Sequence, residues 1–388
     1  MVRLNPPSIK DRILLLLSIK EEGKYISIEH VIEKVSRDEA AFSGTKPTPR
    51  LVRDELLALV DQGLVERSGE TYAISAKGEI LVRSELEQGK GFGLNRSYYL
   101  VWLARNYYPK AAEAILPFLY DRRVSVVKVF SGTRDPINDV QALFVRYKRY
   151  KPVPVPITVG SEQDLLALVY DHCVDFIPYV TSMTSSAPDY LVLDLDAGDQ
   201  LKASGHSLDA TKAVAESICD ILDSAGVNYL VKFSGSRGFQ VWAKLDNESK
   251  VFKGRSDLFP VYRKIAIAIR DKVEQEMTSD SSWKARYGLS DLAPPYTSAS
   301  VANKEARRWQ VLVDWSSLKP EGDVRAPYSI HHKTGLISLP VRREEIAEFQ
   351  PNRADPFLFL DKSVRPVSLP DAVDPEPLLK MLGLHDLV

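Results

Sequence analysis

The chain has 388 residues, enough for two domains, and its 51 Lys+Arg against 52 Asp+Glu leave it almost neutral. No global positive field marks a nucleic-acid partner, so any such binding must rest on local patches. Two cysteines, Cys173 and Cys219, exclude a disulfide framework and a four-cysteine zinc site, and no apolar run has signal-peptide or membrane-spanning length; a soluble cytoplasmic protein without a membrane partner is expected.

Pro7-Ser8 opens a first helix, with Ser8 as its N-cap and Ile9, Ile13, Leu16 and Leu17 on one face, and Gly23 stops it. A second helix is expected over 27–36 on Ile28, Val31, Ile32 and Val35. Thr48-Pro49 opens a third, with Val52, Leu56, Leu59 and Val60 inward and Gly63 as its cap. Residues 64–75 read as two short strands about a Ser68-Gly69 turn. Three helices and a hairpin over residues 1–90 resemble a winged helix-turn-helix, whose third helix reads DNA. That resemblance would place Lys46, Arg50 and Arg53 on phosphates and Arg67 in the wing. The module carries 14 Lys+Arg against 15 Asp+Glu, so protein contact is an equal alternative. The glycine-rich stretch 89–93 reads as a hinge into a second domain over 94–388.

In that second domain, helices are expected at 98–107, 111–120, 164–170 and 210–225, and strands at 123–130, 190–195 and 229–233. Such alternation argues for a layered α/β or α+β domain. The run Arg146-Tyr147-Lys148-Arg149-Tyr150-Lys151 alternates cations with aromatic rings, as a surface for phosphates and unstacked bases would. A solvated strand edge is the plain alternative.

Asp194 and Asp196 stand one residue apart in an apolar strand, so both carboxylates face one side while Leu193 and Leu195 enter the core. Paired carboxylates repel unless a cation lies between them, and oxygen donors suit Mg²⁺ or Mn²⁺. Such pairs also occur at strand ends that merely face water. After the strand 229–233 comes Lys232-Phe233-Ser234-Gly235-Ser236-Arg237-Gly238-Phe239-Gln240, a turn where small residues let backbone N–H groups converge on an anion. Taken alone, it is an ordinary Ser/Gly hairpin. A third strand, 308–315, carries Asp314, and period-2 spacing then puts Ser329, His331 and Lys333 on one face of an extended segment suited to a polyanion.

These elements, in this order, resemble the archaeo-eukaryotic primase superfamily over residues 94–388. The ligase-branch polymerase domain is echoed by Pro188-Asp189 and Ala326-Pro327-Tyr328-Ser329, the primase small subunit by His331-His332-Lys333-Thr334-Gly335. The resemblance implies an α+β fold with an RRM-like sheet and a flanking α/β unit. It implies a template-dependent nucleotidyltransferase of repair, end joining or accessory priming. Its partners would be DNA template and primer, an NTP or dNTP, and repair or replication proteins. Asp194, Asp196 and Asp314 match the carboxylates that hold two divalent ions about 4 Å apart. Ser234, Arg237, Ser329, His331 and Lys333 match the triphosphate-holding positions, with Lys232 and Gln240 beside them. Arg146, Lys148 and Arg149 fall where ligase-type domains meet a template 5′-phosphate.

Two departures stand out. The turn motif ordinarily ends in His, and here Gln240 is neutral and cannot donate a proton as an acid. The cysteine count leaves no zinc knuckle, so no structural zinc is expected. A catalytically impaired, DNA-binding or regulatory protein that binds nucleotide is the alternative reading. The proline-rich tail from 342 is expected to wrap the domain and end in a short helix near 378–381.

Overall fold

The computed structural model describes residues 8–19, 24–36, 47–88, 96–130, 143–149, 154–299 and 308–387. Lys46, Gly23, the stretch 89–93 expected to be a hinge, and Tyr150 and Lys151 of the basic run lie outside them. The chain divides into two compact units, one of residues 1–109, 127–146 and 166–174, the other of 110–126, 147–165 and 175–388. The mixed α+β class is as expected.

The first unit begins with α1 (Ile9–Ile19), β1 (Ile26–Ser27), α2 (Ile28–Ser36), α3 (Pro49–Asp61), β2 (Val65–Ser68), β3 (Thr71–Ile74) and α4 (Ala76–Glu87). Its strands form a small antiparallel sheet in the order β1-β3-β2. The Thr48 side chain accepts from the Leu51 N–H, Pro49 follows at the first turn, and Gly63 takes φ +70 just past the end, so α3 starts and stops where its caps dictate. Ile13, Leu16, Val31, Val52, Leu56 and Leu59 form the core.

Next come α5 (Arg96–Leu119), β4 (Val124–Phe130), β5 (Leu143–Tyr147), α6 (Glu162–Tyr170) and β6 (Cys173–Pro178), the strands in the order β5-β4-β6. The two helices expected at 98–107 and 111–120 are one. Pro109 sits inside α5, but Leu103, Tyr107, Ala111, Ala114, Ile115 and Phe118 are buried along its length. That burial outweighs the roughly 3 kcal/mol that an interior proline costs.

The second unit adds β7 (Leu191–Ala197), α7 (Asp199–Ser204), α8 (Ser207–Ser224), β8 (Tyr229–Phe233), β9 (Phe239–Ala243), α9 (Phe259–Ser279), α10 (Ser282–Tyr287), β10 (Thr297–Ala299), β11 (Val311–Asp314) and α11 (Glu376–Met381). Five strands make its main sheet, in the order β10-β11-β7-β9-β8, parallel only between β10 and β11. Both α8 and α9 pack on the sheet and on each other. Along β7, Leu191, Leu193, Leu195 and Ala197 are buried while Asp194 is half-buried and Asp196 exposed. The tail is held by short turns, with Phe349 packed 5.1 Å from Phe233 and 5.6 Å from Phe239.

Candidate active site

Register builds the site. Asp314 on β11 stands opposite Asp194 on β7, Asp194 opposite Gln240 on β9, and Gln240 opposite Lys232 on β8. Directly paired residues share a face of an antiparallel sheet, so these four form one row across four strands. Asp196, two residues along β7, joins the same face.

Burial and neighbours shape each member of the row. Burial pushes the Asp194 carboxyl up to about 6; a hydrogen bond from Gln240 and the Lys232 charge oppose the shift, while Asp314 and Asp196 add to it. Gln240 therefore does not face outward: it is buried, donates to Asp194, and accepts from the Trp242 indole N–H at 3.4 Å. Lys232 is fully buried, with Nζ donating to Ser338 Oγ at 2.6 Å and lying 5.4 Å over the Trp242 ring. Burial drives its pKa well below the usual lysine value, with the Arg325 charge acting in the same direction.

The three aspartates share a face but are differently engaged. Asp314 accepts from the Ser316 N–H at 2.7 Å, and Asp196 is paired with Lys202 Nζ at 2.8 Å. Among the described residues, no three His, Cys, Asp or Glu side chains converge tightly enough to hold a metal ion. Three carboxylates on one face, one of them strained by burial without full compensation, nevertheless fit a hard divalent cation in donor type.

The Ser234 N–H donates to the Gly238 carbonyl at 2.9 Å, and Ser234 Oγ accepts from the N–H groups of Ser236 and Gly238 at 3.3 and 3.4 Å. Ser234 Oγ keeps its own proton to donate, and Arg237 in the same turn is exposed. Both glycines are required by space. A Cβ at Gly238 would lie 1.9 Å from the Leu195 carbonyl oxygen, and one at Gly235, where φ is +82, would lie 2.9 Å from the His331 Cβ. Thr334 Oγ1 ties the turn to the next segment by donating to the Gly235 carbonyl.

That next segment is not extended. Tyr328 N–H donates to the Ser338 carbonyl, Ser338 N–H to Ser329, and His331 N–H to Leu336, so residues 328–338 double back. Gly335, at φ +80, makes the reversal possible. Ser329, His331 and Lys333 consequently do not line one face. Ser329 is fully buried behind the turn, its Oγ accepting from the Phe176 N–H at 2.8 Å and bonded to Asp175 at 3.2 Å. Lys333 is exposed, and its N–H donates to His331 Nδ1 at 3.1 Å. That bond fixes the tautomer: Nε2 carries the proton and is a donor. Burial, with the Arg325 charge, lowers the His331 pKa to about 3, so the ring is neutral.

The spacing of motifs did not reveal Asp175. It is a fully buried carboxylate in β6, gripped by Arg325 through two bonds of 2.9 and 2.8 Å and by His332 Nδ1 at 2.8 Å. Burial opposes its charge, but Arg325 and His332 outweigh that and hold it well below the usual carboxylate range. Arg325 also donates to the Ser234 carbonyl at 3.4 Å, so one ion pair braces both the turn and the hairpin.

The remaining expected contacts lie elsewhere. Arg146, Lys148 and Arg149 are exposed, and Lys148 Nζ lies 5.6 Å over the Tyr179 ring. Arg50 and Arg53 are exposed on α3, Arg50 at 3.7 Å from Asp54.

A family model described as LigD, primase-polymerase domain, matches residues 104–360. The solved polymerase domain from Mycobacterium tuberculosis Ligase D in complex with DNA is similar at a TM-score of 0.51 and 18% identity, over 70% of this chain and 89% of that one. No curated protein matches.

Proposed function

The chain belongs to the LigD primase-polymerase domain family, and on that premise we propose that it is a template-dependent nucleotidyltransferase that extends a primer during DNA end joining or accessory priming. The observation that carries the reading is the Asp314–Asp194–Gln240–Lys232 row with Asp196 on the same face. Asp194, Asp196 and Asp314 would hold Mg²⁺ or Mn²⁺, which when bound supplies activation of the primer 3′-hydroxyl and neutralisation of the leaving pyrophosphate. Gln240 orients Asp194 by its amide, and Lys232, two strands along the same row, offsets part of the negative charge. The Ser234 hydroxyl, Arg237, the His331 Nε2–H and Lys333 supply donors and charge for the triphosphate, while Ser329 acts behind them on Asp175. The exposed cations Arg146, Lys148 and Arg149 suit a template backbone. Helices α1 to α3 with the β2–β3 hairpin support a winged-helix reading, with Arg50 and Arg53 available to DNA or to a protein partner. Among the described residues no helix is long and apolar enough to cross a membrane.

A second reading, nucleotide binding without efficient incorporation, is favoured by Gln240 and by the Lys202 pairing of Asp196. Incorporation of a labelled nucleotide on a primed template, with Mg²⁺ and with Mn²⁺, separates the two. Product from the wild type, lost at least about a thousandfold in Asp194→Ala, is expected. A silent wild type that is awakened by Gln240→His would establish the second reading instead.

A further inference from the structure

Beside the carboxylate face lies a cavity of about 580 Å³ whose chemistry differs from that of the phosphate-facing turn. Leu201 of α7, Leu292 and Pro295 of the 288–295 segment, and Trp309 give it apolar walls, and His206, Gln310 and the Asp291 carboxylate give it polar edges. No Lys or Arg lines it, so it is no place for a phosphate. Trp309 leaves half of its surface exposed, which is unusual for the largest apolar side chain unless something flat covers it.

The register fixes where this cavity sits. Gln310 precedes β11 by one residue, and its carbonyl accepts from the Gly198 N–H at 2.8 Å, extending the β7–β11 pairing. Continued past the end of β11, the alternation gives Gln310 the face of Leu312, which stands opposite Asp196, and of Asp314, and gives Trp309 the opposite one, so the cavity lies around the end of the sheet rather than on the carboxylate face. At strand rise, Gln310 and Asp314 are about 13 Å apart. Helix α7, which supplies Leu201, also carries Lys202, the partner of Asp196. The turn at 234–238 lies at the same end of the sheet but on the β8–β9 side. The aspartates thus have an anion-suited turn on the β8–β9 side and, past the end of β11, a largely apolar cavity edged by the Asp291 carboxylate.

We propose that this cavity receives a nucleobase, an unstacked base of the nucleic-acid strand engaged at the carboxylate face, with Trp309 as its stacking platform and Gln310 and His206 at its hydrogen-bonding edge. A base is the flat, uncharged, edge-polar group that these walls suit, and pockets of this size and lining accept such rings. The inference rests on the reading that the chain binds nucleic acid, but not on its incorporating nucleotides.

The test is equilibrium binding of a labelled single-stranded oligonucleotide, against one of equal length bearing abasic residues, to wild type, Trp309→Ala, Trp309→Phe and Leu292→Trp. Wild type should prefer the base-bearing strand by about tenfold or more. Trp309→Ala, and Leu292→Trp by filling the cavity, should erase that preference, while Trp309→Phe keeps most of it. Thermal melts identify any variant that fails to fold, and two independent variants guard against that outcome. If Trp309→Ala instead weakens only the binding of a free nucleoside triphosphate, the base in the cavity is that of the incoming nucleotide and the assignment to a strand base is overturned. Equal preference in wild type and both cavity variants, or none in wild type, overturns it. A protein that incorporates nucleotide yet ignores Trp309 refutes the cavity alone; one with base preference and no incorporation refutes only the polymerase reading.

Discussion

Lys202 holds the carboxylate that would have to turn toward a cation. The pair is partly exposed, a class of ion pair worth at most about 1 kcal/mol, so it is a weak restraint rather than a block. Lys202→Met is expected to lower the Mn²⁺ concentration needed for half-maximal incorporation by up to about fivefold; an unchanged or raised requirement would show that Asp196 is not a ligand. His331 offers a test that needs no substrate. Its pKa falls from the ordinary 6.5 to about 3 in the fold, so between those values the unfolded chain binds a proton that the native protein does not. Stability then rises with pH across that window and is lost as pH falls from about 6.5 toward 3, by an amount on the order of a few kcal/mol. His331→Gln should flatten this acid limb in urea unfolding measured at pH 4 and pH 7. A parallel decline in both proteins would assign the acid sensitivity to other groups. At this scale, the carboxylates and the Ser/Gly turn were legible because side-chain alternation and glycine spacing are local. Asp175 was not: nothing near Cys173–Pro178 announces that its charge is met by Arg325, 150 residues on.

Among the elements, β7 and β9 depend on how closely the Gly238 backbone passes Leu195. Gly238→Ala drives a methyl group into a backbone oxygen between the two β7 aspartates. A loss of about 3 kcal/mol or more in denaturant stability is expected, together with loss of incorporation; a variant of wild-type stability would mean that the strands can part without cost. Strand and helix positions were read well where apolar period and caps agree, as in α3 and β8. Residues 259–279 received no expected element, although Phe259, Tyr262, Ile265, Ala266, Ile269, Val273 and Met277 recur at helical spacing and are buried in α9. The hairpin at 328–338 misled for a physical reason. Alternating polar residues look like an exposed strand until a left-handed glycine at 335 folds them back and sends Ser329 inside.

For the molecule as a whole, near-neutral charge makes the local basic stretch decisive. Lys148→Glu with Arg149→Glu is expected to weaken binding to a primed template roughly tenfold or more at low salt and to reduce the logarithmic salt slope by about 1 to 2. The same reversals at Arg50 and Arg53 report whether the N-terminal module touches the template: an unaltered slope there would turn that module toward protein contact. Either result leaves the sheet chemistry intact. Slipping any one of the four strands by a single residue would carry its member of the row through to the opposite side. Losing one residue inside β9 would deprive Asp194 of its amide partner. The site thus depends on the phase of its strands more than on the spelling of the residues between them.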